Sequence, residues 1–150
     1  MGLMTSAGSA LALSANLPAS LDEAGYKALS FLEVNNIEKI GTIGSQFAKV
    51  EFQPLKGPKQ KLKGSADYGS VQPSVAHDDA DAGQSLLRTA SDDETNKLYA
   101  FQVTYQNGAK RYFLGRVFGY PETTDGADTV LMAAPTIEIC TKVVKVAGSN

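Results

Sequence analysis

The chain has 150 residues, 43% of them hydrophobic and 20% charged, the composition of one soluble globular domain and not of a disordered or membrane-spanning chain. Its net charge of -2 is too small to recruit any partner by bulk attraction. Cys140 is the only cysteine and His77 the only histidine, which excludes an intramolecular disulfide, a cysteine-rich metal site and a multi-histidine metal site.

Residues 1–21 carry no charged side chain and are rich in Ala, Ser, Leu and Gly. A secretory signal needs a basic region before its apolar stretch, and none is present. Met1, Gly2 and Ser6 match the short N-myristoylation pattern, while the plainer reading is a flexible or partner-docked arm. No run reaches transmembrane length. The domain is therefore expected over residues 22–150, after Leu17-Pro18-Ala19-Ser20.

Ser20 is placed to cap a short helical turn through Leu21–Ala24, with Glu23 at the capping-box position, and Gly25 limits its length. Phe31–Ile40 reads as a strand with Asn35-Asn36 as a bulge or turn. Gly41-Thr42-Ile43-Gly44 is a bend whose spacing is no phosphate cradle, since no Gly-Lys-Ser/Thr follows. Phe47–Phe52 alternates again and reads as a strand.

Lys56, Lys59, Lys61 and Lys63 surround Gly57-Pro58. Such a cluster meets nucleic acid or an acidic partner, or else it keeps an exposed hairpin loop soluble and protects an edge. No aromatic residue is interleaved among the lysines, which disfavours nucleic-acid recognition. A strand over Leu62–Val71 follows, interrupted by Gly64 and Gly69.

His77, Asp78, Asp79 and Asp81 offer one imidazole and three carboxylates to a divalent ion. They lack the ligand spacing of a calcium loop. The competing reading has Asp78 or Asp79 capping a helix over Asp81–Ala90, with the acidic start complementing the macrodipole. That helix carries Ala82, Leu86 and Ala90 on one face and should pack on a sheet.

Lys97–Tyr120 is the clearest local pattern. Tyr99, Phe101, Val103 and Tyr105 alternate, Asn107-Gly108 follows, and Tyr112, Leu114, Arg116, Phe118 and Tyr120 alternate again. Strands over Leu98–Gln106 and Ala109–Tyr120, joined by a type I′ turn, are predicted. Pro121–Asp128 has loop composition. Thr129–Val146 holds two strands' worth of residues broken at Pro135, with Ile137, Ile139 and Val143 on one parity. Cys140 reads as a half-buried packing residue, because no local acid–base partner would make it a nucleophile. The whole is a mainly β (α+β) chain of roughly seven strands, an antiparallel β-sandwich or barrel with one flanking α-helix and a long inter-strand loop.

In succession, AGYKALSFLEVNNIEKIGTIGSQFAKVEF, KLKGSADYGS, DDADAGQSLLRTASDDE, YAFQVTYQNGAKRYFLGRVFGYP and GADTVLMAAPTIEICTKVVKV resemble the major tail tube protein of long-tailed bacteriophages with non-contractile tails. The resemblance runs from about Ala24 to Val146. It implies a β-sandwich with a flanking helix and a structural role with no catalysis and no cofactor. Subunits would form hexameric rings that stack into a tube around the tape-measure protein and later around double-stranded DNA, bound without sequence specificity. Tail-tip and tail-terminator proteins would cap the tube, which would assemble in the host bacterial cytoplasm and reside in the virion tail, with no membrane insertion. The loop of Lys56, Lys59, Lys61 and Lys63 would touch the next ring, against an acidic surface that includes Asp78, Asp79 or Asp81. Glu33, Glu38, Glu51 and Glu138 are candidates for an acidic lumen, since attraction to phosphates would act as friction. The competing functions are a monomeric β-sandwich binding module, such as an adhesin or pilus-like subunit, and a hydrolase or metal enzyme built on His77, Asp78, Asp79 and Cys140.

Overall fold

The computed structural model describes residues 3–148, so Met1 and Gly2, where the myristoylation pattern begins, lie outside the described residues. In chain order the elements are β1 (Ala10–Ser14), α1 (Glu23–Lys27), β2 (Leu32–Val34), β3 (Ile37–Lys39), β4 (Gln46–Phe52), β5 (Gln60–Asp67), β6 (Ser70–Val71) and β7 (Ser74–Ala76). There follow α2 (Ala82–Asp92), β8 (Tyr99–Thr104), β9 (Lys110–Gly119), β10 (Glu122–Thr123), β11 (Met132–Ala133), β12 (Thr136–Ile139) and β13 (Val144–Val146). They form a seven-stranded sheet ordered β2-β1-β8-β9-β12-β6 with β13 also on β9, a four-stranded sheet ordered β10-β11-β7-β3, and the two-stranded ribbon β4-β5. All these pairings are antiparallel, so the chain is the mainly antiparallel β fold with flanking helix that the sequence predicts.

The main core lies between one face of the large sheet, the four-stranded sheet and α2. Leu11 and Leu13 from β1, Phe101 and Val103 from β8, Phe113 from β9 and Ile137 from β12 meet Val75, Ala133 and Leu87 there. A second, smaller core sits on the opposite face, where Tyr26 of α1 covers Ala100, Tyr112 and Leu114. The rings of Tyr26 and Tyr112 stack at 5.0 Å with 11° between planes.

Several expectations change. The uncharged segment is not an arm throughout. From Ala10 to Ser14 it is a strand between β2 and β8, and Leu11 and Leu13 are fully buried. Five small or apolar residues with no charge suit a strand enclosed on both sides. The expected single strand over Phe31–Ile40 is two, in different sheets, because Asn36 turns the chain with φ 65° between β2 and β3. Pro135 likewise separates β11 in the small sheet from β12 in the large one, and the C-terminal stretch holds three strands instead of two.

The β8–β9 turn also differs from a type I′ turn. The Gly108 N–H donates to Tyr105 O at 2.9 Å, and the Tyr105 N–H donates to Ala109 O at 2.8 Å. Gly108 has φ 89° while Asn107 is not in the positive-φ region, so only the glycine is left-handed. This is a three-residue loop with a glycine bulge. Asp81, and not Asp78 or Asp79, caps α2 and accepts from the Gln84 N–H at 2.9 Å. Asp22, and not Ser20, caps α1, with the Ser20 hydroxyl donating to the Asp22 carboxylate at 2.8 Å.

Candidate assembly surfaces

The β4–β5 ribbon stands apart from both sheets. Every residue of both strands except Gly64 is exposed. Its register pairs Lys49 with Lys63, Val50 with Leu62, Glu51 with Lys61 and Phe52 with Gln60. Because side chains alternate across a strand, Val50, Phe52 and Leu62 share one face, and Lys49, Glu51, Lys61 and Lys63 share the other. Gly64 belongs to the apolar face, where an added Cβ would come 2.9 Å from Val50 Cγ2. Val50, Phe52 and Leu62 are 48%, 56% and 55% exposed, and Leu55 at the tip is fully exposed. A lone two-stranded ribbon is marginal in water, and one with a bare apolar face lacks the layer that would cover it.

The predicted lysines all lie on or beside this ribbon. Lys56 occupies the tip, and Lys59 pairs with Glu51 at 3.1 Å. Lys63 lies 4.9 Å from the Phe47 ring centroid, and Lys61 stands opposite Glu51. The charged face is thus partly neutralised within the ribbon itself.

The acidic cluster disperses instead of converging. The Asp81 carboxylate accepts from the Gln84 N–H, from the Asn35 N–H at 3.3 Å and from the Asn35 amide. Burial pushes the Asp81 carboxyl up, but those hydrogen bonds, with help from Arg88, hold it below the ordinary carboxylate value. Asp78 accepts from the Ala80 N–H at 2.9 Å. Asp79, whose side chain is 91% exposed, meets His77 Nε2 at 2.7 Å. His77 Nδ1 lies 3.4 Å from Glu122 Oε2 without hydrogen-bond geometry. Among the described residues, no group of three or more His, Cys, Asp or Glu gathers as it would for a metal ion.

Sequence reasoning missed the residue at the centre of this region. Gln84 is fully buried, with its carbonyl oxygen accepting from the Asp78 N–H and the Tyr120 hydroxyl and its amide donating to Asn35 O and Ala76 O. A fully satisfied buried amide ties α2 to both sheets. Its only sequence signal is a polar residue on the first turn of a helix. Cys140 is half-buried and lies 3.2 Å from Arg116 Nη1, while His77 has Asp79 and Glu122 as its charged neighbours.

The four glutamates fall on three sheets. Glu38 is on β3 beside Ser74, and Glu51 is on the charged face of the ribbon. Glu33 and Glu138 share a face of the large sheet, through the rows Glu33–Ala12–Gln102–Tyr112 and Arg116–Glu138. β2 is one end strand of that sheet, with Gly83 of α2 close against the Glu33 carbonyl, and β12 lies one strand from the other end strand, β6. No helix among the described residues is long and apolar enough to cross a membrane.

No protein-family model and no curated protein matches the sequence. Solved structures match in fold. A chain of the anti-feeding prophage baseplate, six-fold symmetrised, superposes with TM-score 0.71 and 7% identity over 98% of this chain and 97% of that one. A chain of the PVC sheath/tube terminator, from an extracellular contractile injection system in the extended state, gives 0.65 and 7% over 91% and 93%. The SPP1 tail tube gives 0.61 and 14% over 95% and 78%. The chain thus has the tail-tube-like fold that these phage-tail and injection-system structures share.

Proposed function

We propose that this chain is a structural subunit that self-assembles into stacked hexameric rings, forming a phage tail tube that conducts double-stranded DNA. The amphipathic β4–β5 ribbon carries the reading, because its uncovered face of Val50, Phe52 and Leu62 needs a second surface, on a fold shared with the SPP1 tail tube. The six-fold ring and the siphophage setting come from the sequence resemblance. Free strand edges are a hazard in a monomer and a joining surface in a polymer. A head-to-tail contact that closes by rotation makes a ring, and one that does not close makes a filament.

In this reading the lysine face of the ribbon meets the acidic surface near Asp78, Asp79 and Asp81 on the next ring, where Asp78 and Asp79 are exposed and Asp81 is half-buried. Joining the β2 and β6 edges of neighbouring copies would set Glu33 and Glu138 on one continuous face, a route to an acidic lumen. Glu38 and Glu51 would contribute from the other sheets. The tape-measure protein would fill the tube before DNA does, and tail-tip and terminator proteins would close its ends. Assembly in the host cytoplasm, residence in the virion tail and the absence of catalysis belong to the same proposal.

Electron microscopy of the purified, untagged protein at high concentration, beside size-exclusion chromatography, tests it. Hollow tubes or six-fold rings are expected. A protein that stays monomeric even with added tail tips would pass the lead to a monomeric binding module. Tight binding of duplex DNA at physiological salt would count against a conduit.

A further inference from the structure

A cavity of about 130 Å³ opens beside the β8–β9 turn, and its polar lining is Ser45, Tyr105, Arg111, Lys142 and Lys145. Three cations line it and no carboxylate does. The Arg111 guanidinium lies 5.0 Å from the Tyr105 ring centroid. Among the described residues, Arg111, Lys142 and Lys145 take part in no ion pair. Three cations lining one small cavity repel one another, and an anion seated there relieves that repulsion.

The opposite end of β8 carries a cluster of carboxylates, beside which stand Lys97 and Arg116, the latter donating from Nε to Asn96 O at 2.9 Å. Asp92 closes α2, Asp93 and Glu94 follow, and the last turn of that helix has no basic residue. Carboxylates at a helix C-terminus oppose the macrodipole. Asp93 is used locally, accepting from the Thr95 N–H at 2.8 Å and from the Tyr99 hydroxyl at 3.2 Å, and Lys97 sits over the Tyr99 ring. Asp92 and Glu94 are exposed and make no hydrogen bond or ion pair from their side chains among the described residues.

Tyr99 opens β8 and Tyr105 directly follows it, so the two charged ends are separated by about 20 Å of extended strand. They cannot satisfy each other within one chain. We infer that the Arg111–Lys142–Lys145 cavity is a socket for the Asp92 and Glu94 carboxylates of a second copy. The contact is front-to-back, and a front-to-back contact repeats from copy to copy without a two-fold partner. The inference rests on the self-assembly reading above and names one pair of surfaces for it.

Charge reversal with rescue tests it. Lys142→Glu with Lys145→Glu, and separately Asp92→Lys with Glu94→Lys, should each raise the protein concentration needed for polymerisation about tenfold or more at low salt. All four substituted residues are exposed, and circular dichroism of the monomers checks that the fold is kept. The quadruple variant, with both surfaces reversed, should polymerise again near the wild-type concentration. High salt should narrow every difference, since exposed charges are screened. Wild-type tubes that neither reversal disturbs, or folded reversals that the quadruple variant does not rescue, overturn this inference and leave self-assembly standing. A wild-type protein that never polymerises, with or without tail tips, overturns both.

Discussion

Val50 stands directly opposite Leu62 across the β4–β5 ribbon, each about half exposed, with Phe52 two residues on along the same face. Cross-strand apolar pairs of this kind stabilise a ribbon by a few tenths to about 1 kcal/mol, too little to hold it rigid alone. In the proposed assembly a neighbouring copy would supply the remainder. Val50→Asp with Leu62→Asp should leave the unfolding temperature of the monomer nearly unchanged, because surface substitutions usually act within about 0.5 kcal/mol. The same pair should abolish rings and tubes in electron micrographs. Tubes of normal length from this variant would remove the ribbon from the assembly contact.

The lysine face makes a separate prediction. Lys59→Glu, Lys61→Glu and Lys63→Glu together should block tube growth, by repelling the acidic surface proposed on the next ring. Lys59 and Glu51 form an exposed pair, so breaking it should cost the monomer less than about 1 kcal/mol. Turbidity and micrographs of the triple variant decide the matter, and normal tubes would sink the lysine contact while leaving the apolar face untouched.

β1 is the strand that a reader of the sequence would delete. Leu11 is fully buried between Val34 and Val103, its neighbours across the sheet. Leu11→Ala should cost about 2–5 kcal/mol by lost transfer free energy and cavity formation. Removal of residues 1–14 should expose the β8 edge and prevent folding of the monomer. Thermal denaturation of both variants tests this, and a truncated chain with wild-type stability would return the segment to the status of an arm.

Asp81 gives the fold a dependence on acid. Its folded carboxyl lies below the ordinary value, because hydrogen bonds to Asn35 and Gln84 outweigh burial, which is the largest single influence and acts upward. A depressed carboxyl contributes stability that is full above its unfolded value of about 3.9 and is lost as the pH falls through the folded one. Asp81→Ala should cost about 1 kcal/mol near neutral pH, the ordinary worth of a helix cap. Denaturation curves between pH 3 and pH 7 should show the gap to wild type closing at the acid end. A gap that is constant with pH would mean that the charge of Asp81 does not matter. Asp22 and Asp93 are depressed in the same direction, chiefly by hydrogen bonds to Gly25 and Thr95, so the wild type should lose further stability over the same acid range.

Local pattern and tertiary placement divide cleanly in this chain. Alternation alone determines the β8–β9 hairpin, which buries a face set by its own backbone period, and the strand β4, whose residues are all exposed. The period of α2 fixes the helix but not its buried face, which is Gly83, Gln84, Leu87 and Ala90 while the expected Ala82 is exposed. Lys49 and Glu51 interleaved with Val50 and Phe52 mark β4 as a strand, but its pairing with β5 alone, which leaves one apolar face uncovered, is decided by the tertiary structure. Long-range contacts decided the remainder. Leu11 and Leu13 are core residues only because β2 and β8 flank them, and nothing in five short residues announces it. Asn36 reads as a bulge or turn within one strand and Pro135 as the break between two, and only the three-dimensional structure sends the two sides of each to different sheets. His77 and its neighbouring aspartates look like one ligand set in sequence. The fold spends Asp81 on the helix end and sets His77 between Asp79 and Glu122, a residue 45 positions along the chain from it. Sequence determines what each short segment can bury. Which segment it is buried against, and which charges are left without a partner in the chain, is decided by contacts between residues far apart in the sequence.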